Sequence, residues 1–133
     1  MRDLKNHTKS EQSIAPQALV ASANGSWIDL LGSDGAVIDF NIGLWTNGAF
    51  TLSVEDADET DKSDAAAVAA ADLEGALTVV DGAADDNVIQ RVGYKAGKRY
   101  VRAVVTEPSS PPPGTGCVIG ASVTHCPNVR PQD

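Results

Sequence analysis

Val88-Ile89-Gln90-Arg91-Val92-Gly93-Tyr94-Lys95-Ala96-Gly97-Lys98-Arg99-Tyr100-Val101-Arg102-Ala103-Val104-Val105 is two β-branched runs on either side of an Ala-Gly pair. The pattern reads as a β-hairpin. A two-residue loop at Ala96-Gly97 pairs Val92 with Val101 and Val88 with Val105, which keeps both pairs on one face. A four-residue loop from Lys95 to Lys98 gives the same register. The stretch also holds five of the chain's ten basic residues.

The same alternation recurs upstream. In Val37–Leu44, Ile38, Phe40, Ile42 and Leu44 share one face, and Asp39, Asn41 and Gly43 share the other. In Ala49–Glu55, Phe50, Leu52 and Val54 point one way. A three-residue loop, Thr46-Asn47-Gly48, pairs Leu44 with Phe50 and Ile42 with Leu52, with Gly48 in the left-handed position of a G1 bulge. Further strand candidates are Ile14–Ala21, with Pro16 suited to an edge, and Ser26–Leu31, with Ile28 and Leu30 on one face. Ala76–Val80 is a short run, and Cys117–Thr124 places Ile119, Ala121 and Val123 inward. Ala65–Ala71 fits a helical turn or a short strand.

These elements predict an all-β fold, an antiparallel β-sandwich with jelly-roll or Greek-key-like connections and about eight strands. The sandwich domain spans 14–126, including a proline-rich connector at 107–116. An extended N-terminal arm occupies 1–13 and a tail 127–133. With 133 residues the chain suits one domain, and with few aromatics its core rests on Val, Ile, Leu and Ala.

The net charge of −8 disfavours a surface that coats nucleic acid or an anionic membrane. The chain has no apolar run of about eighteen residues to span a bilayer, and Met1–Ser10 lacks the apolar stretch of a secretory signal. Cys117 and Cys126 read as free thiols; a bridge between them needs the chain to turn back.

Residues that carry chemistry are sparse. His7 and His125 fall in segments read as termini, so a Ser-His-Asp or Cys-His site is not expected, nor is enzymatic activity. No phosphate-cradling loop or zinc-ligand spacing occurs, and no cofactor or metal is implied. In the acidic stretch Glu55–Asp64, Asp56, Asp58 and Thr60 match the first EF-hand positions. Asp61 stands where that loop needs glycine, and Ala67 stands where it needs glutamate. A calcium site of another kind from Asp56, Asp58 and Asp61 stays open beside a plain solvated loop. Trp27 and Trp45 fit core or rim packing better than sugar stacking.

In the hairpin register Arg91 lies opposite Arg102 and Tyr100 opposite Gly93, with apolar Ile89 and Val104 beside them. Opposed like charges are unfavourable on a sheet. Arg and Tyr among apolar residues are characteristic of interfaces. Ile89, Arg91, Tyr100, Arg102 and Val104 are therefore the candidate subunit interface. Its candidate partner is the acidic loop with Asp56, Asp58, Glu59 and Asp61 on a neighbouring copy. Intramolecular salt bridges are the competing reading.

Three segments, Met1-Arg2-Asp3-Leu4-Lys5, Ala69-Ala70-Ala71-Asp72-Leu73-Glu74-Gly75-Ala76 and Arg91–Arg102, resemble small structural proteins of tailed bacteriophages encoded among head-assembly genes. The proline-rich connector and the two cysteines depart from that pattern. The resemblance implies a virion protein on the outer capsid surface, made in the bacterial host cytoplasm. It would bind the major capsid protein as a decoration or cement subunit and would self-associate, with a trimer as the expected cluster. A head–tail connector, a tail component and a carbohydrate-binding module are the alternatives.

Overall fold

Strand β4 (Ala36–Trp45) buries Ile38, Phe40 and Ile42 on one side and keeps Asp39 and Asn41 on the other, as a strand with one face on a core must. The computed structural model describes residues 4–33, 35–108 and 112–126. Among these, a helical turn (Leu4–His7) precedes β1 (Lys9–Leu19), β2 (Ala23–Asn24) and β3 (Ile28–Asp29). After β4 come β5 (Thr51–Ala57), β6 (Ala66–Ala67), β7 (Leu73–Glu74), β8 (Ile89–Tyr94), β9 (Tyr100–Thr106) and β10 (Cys117–His125).

The strands form two sheets, β1-β10-β4-β8-β7 and β2-β9-β5-β6, with β3 also beside β9. All pairings are antiparallel. First strand lies beside last (β1 with β10), then β2 and β3 beside β9, β4 beside β8, and β5 beside β6. This is one long hairpin rolled up on itself, a jelly roll. The predicted all-β sandwich is the observed fold.

The rolling overturns both predicted hairpins. β8 and β9 lie in different sheets, as do β4 and β5. Val92 and Val101 are both fully buried, but they lie in different sheets instead of side by side. Val92 is beside Ile38, and Val101 beside Asp56 and Ile28. Alternation fixes which side chains turn inward; it does not say which strand lies alongside. Gly48 and Gly97 do take left-handed conformations, at φ +98° and +81°, in corners that carry the chain from one sheet to the other.

Other boundaries shift. Lys9–Ser13 are not an arm, because β1 starts at Lys9 and pairs with β10 from His125 onward. Of two register shifts on this edge strand, the second, between Ile14 and Gln17, contains Pro16, where its missing N–H costs no ladder bond. Ala65–Ala71 resolves into β6 and part of a 3-10 turn, Ala70–Asp72. The tail 127–133 and residues 109–111 of the connector lie outside the described residues.

One bulge redirects the chain. Trp45 and Ile42 face Cys117 and Ile119, so three residues of β4 span two of β10. Trp45 consequently packs on the core, and Leu44, expected inward, is 61% exposed.

Polar ties cross between the sheets. The Ser13 hydroxyl accepts from the Ala103 N–H at 2.9 Å and donates to the Ser26 carbonyl at 2.9 Å. Within the sheet that holds β9 and β5, the Glu107 carboxylate accepts from the Ala49 N–H at 2.6 Å. Each satisfies a buried group that would otherwise cost about 1–3 kcal/mol.

Candidate functional site

The antiparallel roll gathers the segments 30–33, 58–65 and 95–99 at one end of the sandwich, with the start of β1 and the end of β10. Most of the chemistry-bearing side chains are at this end.

His125 is the last residue of β10, in phase with inward Cys117, Ile119, Ala121 and Val123. It is therefore buried, not terminal as expected. Its Nδ1 is 2.8 Å from the Ser33 hydroxyl and its Nε2 is 3.0 Å from a Glu11 carboxylate oxygen. An ionised carboxylate only accepts, so Nε2 carries a proton and donates to Glu11, while Nδ1 and the Ser33 hydroxyl share the second hydrogen bond. Hydroxyl, imidazole and carboxylate in series is the order that activates a nucleophile in a cleft. Here the imidazole side chain is only 3% exposed, and the series fastens the 30–33 segment to β1 and β10. The sequence expectation missed it, although the period-two pattern from Cys117 runs unbroken to His125.

Asp56, predicted to sit in a solvated loop, belongs to β5 and is buried. It accepts a 2.8 Å hydrogen bond from the Tyr94 hydroxyl, and Lys98 Nζ stands 3.8 Å away. Burial, reinforced by the neighbouring carboxylate, pushes the Tyr94 phenol well above its usual range. Asp58 and Asp61 are exposed; Asp58 accepts from the Arg99 N–H and Asp61 from the Ser63 N–H. Glu59 is exposed and donates its N–H to Asp64. The loop is thus held by its own backbone contacts. Among the described residues no group of three His, Cys, Asp or Glu converges as a metal site.

The five candidate interface residues do not share one face. Ile89 and Arg91 lie on the outer face of the β1-containing sheet, while Tyr100, Arg102 and Val104 turn outward from the other. Tyr100 and Val104 are nevertheless buried, because neighbouring side chains cover that face. Lys62 sits 4.1 Å and Arg99 5.0 Å from the Tyr100 ring centroid. The opposition of Arg91 and Arg102 is replaced by two separate pairs across adjacent strands. Arg91 Nε is 2.6 Å from Asp39, and Arg102 Nε is 2.8 Å from Glu55. The acids come from the partner strands that the hairpin reading had missed.

Both tryptophans are engaged. Arg102 covers the Trp27 ring at 4.5 Å, and the Trp45 Nε1–H donates to the Gly48 carbonyl. Both rings are partly exposed. Cys117 and Cys126 are free thiols.

Compared with family models, curated proteins and solved structures, the chain matches none.

Proposed function

We propose that the protein is a virion structural protein, a capsid decoration or cement subunit that binds and stabilises an assembled phage head. The observation that carries this reading is where the positive charge goes. Lys9, Arg91, Lys95, Lys98, Arg99 and Arg102 each pair with a carboxylate of the same chain. Lys62 caps an aromatic ring. These seven of the ten basic residues are thus engaged within the chain, which carries a net charge of −8. Such a balance repels packaged nucleic acid and suits a protein partner.

Two further points support the reading. The chain resembles small head-assembly proteins of tailed phages, and jelly rolls are frequent in viral capsids, an analogy of fold that by itself carries no function. The sandwich is also tied between its sheets by buried hydrogen bonds at Ser13 and Asp56, which suits a body that resists deformation while bridging neighbours.

Co-sedimentation of the purified protein with assembled capsids, with copies per shell counted, tests the proposal. Saturable binding at many symmetry-related positions supports it. Binding only at a single vertex reassigns the protein to the head–tail junction, and no binding overturns the decoration reading.

A further inference from the structure

Four adjacent strands place an apolar side chain at the same end of one outer face. Ala18 of β1 is the register partner of Val118 of β10. Val118 sits against Gly43 of β4, where an added Cβ would approach it to 3.0 Å. Next to Gly43 is Leu44, turned outward by the bulge, and Ile89 of β8 pairs with Asn41 on the far side of β4. Leu44 and Ile89 are each 61% exposed and Val118 38%. With strands about 4.8 Å apart, the band is about 15 Å across. The other half of the same face is polar, with the Ser10–Thr124 hydrogen bond and the Arg91–Asp39 pair.

The rim of this band carries a distinct charge. The segment 81–87 lies along the end of β4: Trp45 N–H donates to Asp86, and Asn87 N–H donates to the Gly43 carbonyl. Asp85 accepts only from the Asp81 N–H. As in the 58–64 loop, among the described residues no cation lies within ion-pair distance of Asp81, Asp85 or Asp86; unlike that loop, these three lie beside an exposed apolar band. The negative field of Asp86 and Asp85 also reaches inward, adding to the burial that raises the Cys117 thiol. Uncompensated carboxylates beside an exposed apolar band are half of a complementary interface.

We infer that this end of the β1-β10-β4-β8 face docks a protein surface whose apolar centre is rimmed by lysine or arginine. The inference deepens the capsid reading by naming the face such a subunit would use, and its partner's identity rests on that reading. The apolar centre excludes a purely phosphate-bearing partner, and the carboxylates exclude an anionic lipid surface.

Two measurements with separate probes test it. The first is amide chemical-shift mapping with a synthetic peptide of alternating leucine and lysine. Shifts should cluster at Ala18, Gly43–Trp45, Asp86–Ile89 and Val118. A Leu44→Asp/Ile89→Asp double variant should weaken that binding by about tenfold or more. Both side chains are exposed, so the variant should fold, and its amide spectrum verifies this. Shifts centred on the acidic 58–64 loop, no shifts, or undiminished binding by the variant overturn the docking face.

The second measurement is capsid co-sedimentation of wild type and double variant. Loss of binding in the variant alone supports the face, while equal binding overturns the face and leaves the capsid reading intact. If the peptide maps to the band but wild type ignores capsids, the face stands and the capsid reading fails.

Discussion

The Tyr94 hydroxyl and the Asp56 carboxylate meet at 2.8 Å across the sandwich, one from β8 and one from β5, and join the two sheets. The same hydroxyl accepts the Lys98 N–H at 3.1 Å, so one phenol also sets the corner leading to β9. Neither residue looks structural in sequence: one follows a glycine in a basic run, and the other sits at the head of an acidic stretch.

Tyr94→Phe leaves Asp56 buried with only the Lys98 amine near it and should cost about 1–3 kcal/mol. The phenol is raised above its unfolded value, so the unfolded chain loses its proton first as pH rises. The stability that Tyr94 supplies is therefore complete below about pH 10 and declines above it. Urea melts at pH 7 and at alkaline pH check both points: the deficit of Tyr94→Phe should shrink as pH climbs, and a constant deficit refutes the assignment.

Gly116 and Gly97 separate two reasons for glycine. Gly116 has φ +75°, and an added Cβ would collide with the Leu19 carbonyl oxygen. Gly97 has φ +81° with open space around it. Gly116→Ala should cost about 3 kcal/mol or more, and Gly97→Ala about 1 kcal/mol from backbone conformation alone. Equal losses in chemical denaturation would contradict the close approach at Gly116.

Arg91 and Arg102 belong to different sheets and share no partner, so their substitutions should be additive in a double-mutant cycle. Arg102→Gln should cost about 1 kcal/mol, since the pair with Glu55 is partly shielded and the guanidinium covers Trp27. Arg91→Gln, with its side chain 68% exposed, should leave the melting curve nearly unchanged. Arg102→Gln should also alter tryptophan emission. A coupling between the two sites would revive a shared interface.

The Ser33–His125–Glu11 series predicts a proton on the His125 Nε2, facing Glu11, readable by long-range proton–nitrogen correlation. Ser33→Ala should cost about 1 kcal/mol, and fluorophosphonate probes should leave Ser33 unlabelled. Labelling would show that the serine is an activated nucleophile after all.

The thiols should differ in reactivity. Burial pushes the Cys117 thiol up to about 11, and its side chain is almost wholly enclosed. Cys126 is half-exposed. A disulfide reagent at pH 8 should titrate Cys126 in the native protein and Cys117 only after unfolding. Immediate reaction at both sites would place Cys117 nearer the surface.

By itself the sequence determined the fold class and the inward faces. Ile38-Phe40-Ile42, Leu52-Val54, Val101-Ala103-Val105 and Ile119-Ala121-Val123 all turn inward as their alternation requires, because a strand's side chains alternate whatever lies beside it. Pro16 likewise marked an edge by its missing donor. Only the tertiary structure decided which strand lies next to which. A hairpin across Ala96-Gly97 and a corner between facing sheets bury the same valines, so local pattern cannot separate them. Long-range pairing of β8 with β4, and of β9 with β5, selected the corner. That choice moved Arg91 and Arg102 onto opposite sheets and buried Tyr100. The β4 bulge, set by the register of β10, turned Leu44 outward, and the roll brought Glu11 and Ser33 to His125. These relations join residues far apart in the chain, and so they follow from the closed sandwich and not from any local stretch.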